Sequence, residues 1–124
     1  MAKLKEKSLA LLSATTVSLA TVAATTLYTV PVGKRCVLAW ATLVAAADTG
    51  ASVLTIGQVG ALTDWLPAYT LATSAQYDAF LLQPVPNATA LLKKSYAAGT
   101  VIQIDVTTGS GAAGNTVYLF GFLY

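Results

Sequence analysis

The chain has 124 residues, a length that fits one domain with one hydrophobic core. Charged residues make up 10% of it, hydrophobic residues 56%, and the net charge is +2. The basic residues are too sparse for a nucleic-acid groove, and no run of Leu, Ile and Phe is long enough to span a bilayer. With no His and one Cys, the usual zinc sites and Ser-His-Asp triads lack their residues. We therefore expect no nucleic-acid partner, no membrane span, no metal and no cofactor.

The low charge density also bears on the surface of the protein. An average soluble domain carries about 25% charged residues, which keep it dispersed. The apolar excess here consists mainly of Ala, Val and Leu, diluted throughout by Thr and Ser. This composition predicts that partner subunits cover much of the surface.

The first 26 residues have a basic start, an apolar middle and small residues, as a secretory signal has. Five Ser and Thr residues between positions 13 and 21 interrupt the apolar middle. Residues 16–22 therefore fit a strand better than an export signal. We predict that this segment is retained, with an extended arm over 1–14 leading into a single β-sandwich domain over 15–124. An exported surface-binding module, which requires a cleaved N-terminus, is an alternative.

Further along the chain, short runs of β-branched and apolar residues are separated by Gly, Pro, Asn and Asp. They predict strands over 26–30, 35–44, 52–58, 77–83, 90–96, 100–107 and 116–124. Turn signals recur about every 8–12 residues, as in sandwiches and jelly rolls. The predicted fold is all-β and sandwich-like or jelly-roll-like, with seven to nine antiparallel strands.

The stretch from Gly60 to Ser74 is predicted to be an aromatic loop that contains Trp65 and Tyr69. Aromatic side chains often anchor protein interfaces, so we expect this loop to supply contact area. Packing of the two rings over one end of the sandwich core is an equally good interpretation.

The last two predicted strands differ in pattern. In the first, only one face is apolar, as in a half-buried strand. In the second, Tyr118, Phe120 and Phe122 share one face, while Val117, Leu119 and Leu123 share the other. Apolar residues on both faces predict a strand that is covered on both sides. Gly121 indicates a bulge or a close backbone approach, and the loop over 109–115 predicts that the two strands form an antiparallel hairpin.

Asp48-Thr-Gly-Ala51 resembles the signature of retropepsin-type aspartic proteases, in which Asp48 would be the catalytic acid. That family also has a second apolar-apolar-Gly element followed by a helix. The only late candidate here is Leu119-Phe-Gly121, and the chain ends three residues later. Asp-Thr-Gly is equally an ordinary turn sequence, because Asp bonds its own backbone and Gly accepts positive φ. We therefore expect a turn and no enzyme.

Three stretches carry a family resemblance: Thr25-Thr-Leu-Tyr-Thr-Val-Pro-Val-Gly-Lys34, residues 96–108 and residues 117–124. They resemble small β-sandwich structural proteins of tailed-bacteriophage virions. In that group a Leu-Tyr-Thr-Val-Pro-x-Gly-Lys strand and turn starts the sandwich, and an Ala-Gly turn precedes the late strands. The resemblance implies a capsid decoration or cement subunit, located on the virion surface after assembly in the host cytoplasm.

The same resemblance implies partners rather than substrates. The expected partners are the major capsid protein and copies of this chain, in a homo-oligomer such as a trimer. The arm and the aromatic loop are the candidate contacts: Lys3, Leu4, Lys5, Lys7, Leu9, Trp65 and Tyr69. A neck, tail or fibre-anchoring component with the same fold is the alternative position in the virion.

Overall fold

The computed structural model describes residues 9–84 and 95–124. Within these residues the chain forms nine strands and no helix, and nothing that could cross a membrane as a helix is found. The strands are β1 (Ala10–Val17), β2 (Ala23–Thr29), β3 (Cys36–Val44), β4 (Val53–Gln58), β5 (Ala61–Thr70), β6 (Ala79–Leu82), β7 (Ser95–Tyr96), β8 (Val101–Thr108) and β9 (Asn115–Leu123).

These strands form two sheets in which every pairing is antiparallel. The first sheet has the order β1-β9-β3-β6, with β7 also paired to β3. The second has the order β2-β8-β4-β5. This all-β, two-sheet architecture is consistent with a β-sandwich, and the predicted fold class is confirmed.

The core lies between the two sheets, because each sheet turns one set of alternating side chains inward. Leu38 and Leu119 of the five-stranded sheet are completely buried, as are Ile56 and Ile104 of the four-stranded sheet. All four belong to one contiguous hydrophobic cluster.

The predicted hairpin between the last two strands is wrong. β8 pairs with β2 and β4, whereas β9 pairs with β1 and β3, so the two strands lie in opposite sheets. An alternating pattern shows which face of a strand is buried but not whether its neighbour pairs beside it or packs across from it. The connection over 109–114 is long enough to cross the roughly 10 Å between packed sheets.

The boundary of the predicted arm also needs correction. Residues 10–14, assigned to the arm, form the first part of β1 and pair with β9. Leu12 occupies a register shift in this ladder and packs against the core, which ties the strand to the domain. Residues 1–8 of the predicted arm lie outside the described residues.

The predicted aromatic loop over 60–74 is largely a strand. β5 covers Ala61–Thr70 and follows β4 after a tight turn in which Gly60 has a φ of 89°. Pro67 favoured the loop prediction, since proline normally interrupts a sheet. It is tolerated here because β5 is an edge strand, whose outer side donates no ladder hydrogen bonds.

Candidate interaction surface

The outward face of the five-stranded sheet is apolar and aromatic. Register places Leu11, Phe120 and Trp40 in one row across β1, β9 and β3. In the next row, Tyr118 and Leu81 lie on either side of Thr42 on the same face. We call this surface the aromatic face and define it by Leu11, Trp40, Leu81, Tyr118, Phe120 and Phe122.

Two rings form the centre of the aromatic face. Trp40 and Phe120 lie opposite each other on neighbouring strands, with ring centroids 5.1 Å apart and an angle of 24° between the ring planes. This is an offset stack, which adds about 0.5–1.5 kcal/mol to the free energy gained by burying the rings. The stack therefore holds both side chains in one arrangement on the surface.

Gly121 allows the strands under this face to approach closely. A Cβ at this position would lie 2.5 Å from the carbonyl oxygen of Val37 and 2.9 Å from Leu12 Cδ1. Both ladders beside it shift register, between Leu11 and Ser13 on one side and between Leu38 and Trp40 on the other. The predicted close approach at Gly121 is therefore confirmed, and the bulges set the outward direction of Leu11 and Trp40.

The aromatic face contains no charge. None of the residues in β1, β3, β6 and β9 is ionisable except Cys36, which is buried, and the phenol of Tyr118. Leu11 is 52% exposed and Leu81 is 53% exposed, whereas the four rings are half-buried. The inner face of β9 is therefore buried from Asn115 to Gly121, and its outer face is buried only in part.

Charged residues lie at the two ends of the sheet. Lys34 and Arg35 precede β3, and we call this the basic end. The exposed aspartates Asp48 and Asp78 lie beyond the other end of β3, which we call the acidic end. β3 has nine residues, so the ends are about 30 Å apart at roughly 3.3 Å per residue.

At the basic end, Arg35 is held beside the edge of the aromatic face. Its Nε donates to Ser95 Oγ at 3.0 Å, and the same oxygen lies 2.8 Å from the hydroxyl of Tyr124. The backbones of Arg35 and Tyr124 also exchange hydrogen bonds of 2.8 and 3.0 Å. An apolar patch edged by an arginine and hydroxyl groups has the composition of a protein interface and its rim.

At the acidic end, the Asp-Thr-Gly sequence forms a turn. Asp48 Oδ1 accepts hydrogen bonds from the backbone N–H groups of Gly50 at 2.9 Å and Ser74 at 3.0 Å. These two donors lower the pKa of Asp48 below its usual value because they stabilise the carboxylate. In this arrangement the Asp48 carboxylate holds the backbone of its own turn and of the neighbouring loop, as the turn interpretation expects.

Thr49 and Ser52 join this turn to the neighbouring loops. Thr49, fully buried, donates from Oγ1 to the carbonyl of Ala72 at 2.6 Å. Ser52 Oγ donates to the carbonyl of Thr49 at 2.7 Å and accepts from the backbone N–H of Ser110 at 3.2 Å. Three loops that connect the two sheets are thus fastened together, and the role of these residues is structural.

A second polar group links the sheets at the basic end. The hydroxyl of Tyr96 in β7 donates to Asp64 Oδ1 in β5 at 2.9 Å, and Gln58 Nε2 donates to Asp64 Oδ2 at 2.7 Å. Burial, followed by the bond to Asp64, raises the pKa of Tyr96. The bond joins the edges of the two sheets on this side of the sandwich.

The structure separates the residues that the sequence analysis grouped as candidate contacts. Lys3, Leu4, Lys5 and Lys7 lie outside the described residues. Leu9 is described and is 48% exposed, just before β1. Trp65 is only 5% exposed within the core cluster and offers almost no surface to a partner, which favours core packing, the second of its two interpretations. Tyr69 is half-buried and packs against the same core.

Comparisons with protein-family models, with curated proteins and with solved structures find no match. Within residues 9–84 and 95–124 no three His, Cys, Asp or Glu side chains are grouped so that they could hold a metal ion. The candidate site therefore rests on the geometry of this chain alone.

Trp40, Leu81 and Leu11 are surface residues that the sequence patterns did not identify. The sequence feature that pointed to this surface is the doubly apolar pattern of residues 116–124, which predicts only that this strand is covered on both sides. Extending that argument to residues 35–44 would have required the register between β3 and β9, since only the register places Trp40 beside Phe120. A sequence pattern does not contain this information.

Proposed function

We propose that this protein is a structural subunit of a tailed-bacteriophage virion, most specifically a capsid decoration or cement protein. The observation that carries the proposal is the aromatic face, an uncharged and half-exposed sheet surface suited to packing against another protein. The sequence resemblance to small virion β-sandwich proteins supplies the virion context.

Three further features support a structural role. Charged residues make up only 10% of the chain, which suits a subunit whose surface is largely covered by others. The loops at the acidic end are fastened to one another through buried hydrogen bonds, which gives a rigid body rather than a mobile binding site. The basic segment before β1, which contains Lys3, Lys5 and Lys7, provides a candidate contact with the major capsid protein.

The test is the copy number of this chain relative to the major capsid protein in purified virions whose genome encodes it. Quantitative mass spectrometry with isotope-labelled peptides from both proteins gives this ratio. A decoration protein is expected in hundreds of copies per particle. About a dozen copies would place it in the neck, tail or fibre attachment instead, and absence from the particle would overturn the virion proposal.

A second experiment addresses the capsid contact. The full chain and a variant with Lys3, Lys5 and Lys7 changed to Ser are added to capsids that lack this protein. If the basic segment contacts the capsid, the variant binds less tightly and its binding depends less on salt. Equal binding by both proteins would remove the arm from the proposed contact.

A further inference from the structure

The composition of the aromatic face restricts its partner. Four of its six defining residues are aromatic, and aromatic residues are enriched in the buried centre of protein interfaces. The ionisable residues in β1, β3, β6 and β9 are Cys36, which is buried, and Tyr118, whose phenol carries no charge at neutral pH. A second copy of the same face would therefore meet no like charge on these strands and would bury no ion there. The face is therefore compatible with itself.

Its size is near the lower limit for a specific interface. The strands of this sheet are eight (β1), nine (β9), nine (β3), four (β6) and two (β7) residues long, and roughly 3.3 Å by 4.8 Å per residue gives about 500 Å² per copy. Two copies would bury about 1,000 Å² in total, which is at the lower limit of roughly 1,000 Å² expected of a specific contact. A contact of this area fits a weak, reversible dimer rather than a permanent one.

The charges at the two ends select the orientation of such a pair. In one two-fold arrangement the basic ends of both copies meet, and Arg35 lies near its own symmetry mate. In the other, the basic end of each copy lies over the acidic end of its partner, so that Arg35 is near Asp48 and Asp78. Asp64 is also at the basic end, but it belongs to the four-stranded sheet and is bonded to Tyr96.

We propose that the aromatic face packs against the aromatic face of a second copy, about a two-fold axis that lies between the sheets and runs across the strands. This dimer deepens the proposed function and rests on it for the virion setting, because the second copy is the partner that covers the five-stranded sheet during assembly. The two sheets would stack about 10 Å apart with their strands roughly aligned and antiparallel. The doubly apolar pattern of β9 would then be buried on both sides.

The first test measures dimerisation of the full-length chain by sedimentation equilibrium over a wide concentration range. Wild type is expected to show a monomer–dimer equilibrium. The double variant Leu11→Lys/Leu81→Lys is expected to weaken it at least tenfold, because both positions would place charge inside the contact. Both residues are already half exposed, so folding should persist, and thermal unfolding verifies this.

The matched control is Ala24→Lys/Thr107→Lys, which adds the same charge to exposed positions of the four-stranded sheet. It is expected to dimerise as wild type does. A monomeric wild type at every concentration, a dimer insensitive to Leu11→Lys/Leu81→Lys, or equal weakening by the control would each overturn the inference.

The orientation has its own test by charge exchange. Arg35→Glu and Asp78→Lys should each weaken the dimer severalfold, and the chain that carries both should regain most of the affinity, since the opposite charges face each other again. Asp78→Asn, which keeps an oxygen to accept from the N–H of Ala75, controls for the turn. Failure of the double variant to recover would overturn the stated axis.

These results are separable from those of the virion experiment. A monomeric protein present in hundreds of copies per particle would refute the dimer and leave the proposed function standing. A dimer that responds as expected but is absent from particles would refute the proposed function and leave the contact standing.

Discussion

The two outer faces of the sandwich have opposite chemistry although the two inner faces are alike. The five-stranded sheet exposes the aromatic face. On the four-stranded sheet, the outer side of β2 and β8, which we call the polar face, consists of Ala24, Thr26, Gln103, Asp105 and Thr107. On the polar face, Gln103 Nε2 donates to Thr26 Oγ1 at 3.1 Å, a hydrogen bond between side chains of the paired strands β8 and β2.

This difference indicates which side of the molecule is made for solvent. A sheet in an antiparallel sandwich normally has one buried face and one solvated face, and the four-stranded sheet follows this rule. The five-stranded sheet departs from it, since apolar side chains also predominate on its outer face, where they are interspersed with Thr42 and Thr116. A contiguous exposed apolar patch of this kind is typical of an interaction site.

The largest expected effect tests whether the two inner faces are equivalent. Leu119→Ala and Ile104→Ala each remove a fully buried side chain, one from each sheet. Each is expected to lower the free energy of unfolding by about 3 kcal/mol, because a cavity remains where the side chain packed. Urea denaturation monitored by tryptophan fluorescence measures this. A loss below about 1 kcal/mol for either variant would remove that residue from the core.

The second prediction separates the outer faces. Trp40→Thr removes the stack with Phe120 and is expected to cost about 2 kcal/mol of stability. The matched change Gln103→Thr on the polar face should cost no more than about 0.5 kcal/mol. Chemical denaturation followed by far-ultraviolet circular dichroism compares them, since this signal does not depend on Trp40. Equal losses would contradict the difference between the faces.

A third, smaller effect tests one position on the four-stranded sheet. The hydroxyl of Thr55 is buried and has no hydrogen-bond partner in the described part of the chain. Thr55→Val is therefore expected to stabilise the protein by about 1 kcal/mol, since an unsatisfied buried hydroxyl is removed without a change of shape. Thr26→Val is the control, because that hydroxyl is exposed and bonded. Thermal unfolding should show a higher Tm for Thr55→Val alone.

The smallest effect concerns the acidic end, where the loops of both sheets meet. The pKa of Asp48 is lowered, so the ionised carboxylate stabilises the fold above the ordinary aspartate pKa, and this contribution is lost as the pH falls through the lowered value. Asp48→Asn should therefore lose less stability on acidification than wild type does. Asp48→Ala, which also removes the acceptor, should be less stable at every pH. Thermal unfolding across the acidic range would contradict this if all three proteins responded alike.

Parts of this comparison were predictable from the sequence. Residues 100–107 alternate cleanly and form β8 at nearly the predicted bounds, because a half-buried strand has a period of two. Residues 35–44 and 52–58 were likewise predicted as strands, and β3 and β4 occupy them. The turn at Gly50 follows from its local sequence, since a φ of 58° suits glycine.

Other parts were not predictable, and each failure has a physical cause. β5 was missed because Pro67 and the two aromatic residues resemble a loop unless the strand is known to lie at an edge. The choice between an interface and the core was left open for Trp65 because its burial depends on packing between distant segments, which local sequence does not reveal. The hairpin was predicted between strands that face each other across the core.

The sequence by itself determined that this chain forms short strands with at least one apolar face, because alternation, β-branched residues and turn residues act over a few neighbours. Only the tertiary structure decided which strands pair, and therefore which outer face is polar and which is aromatic. Strand order depends on hydrogen bonds and packing between segments far apart in the chain. That order brings Trp40 to Phe120 and gives the molecule its candidate interaction surface.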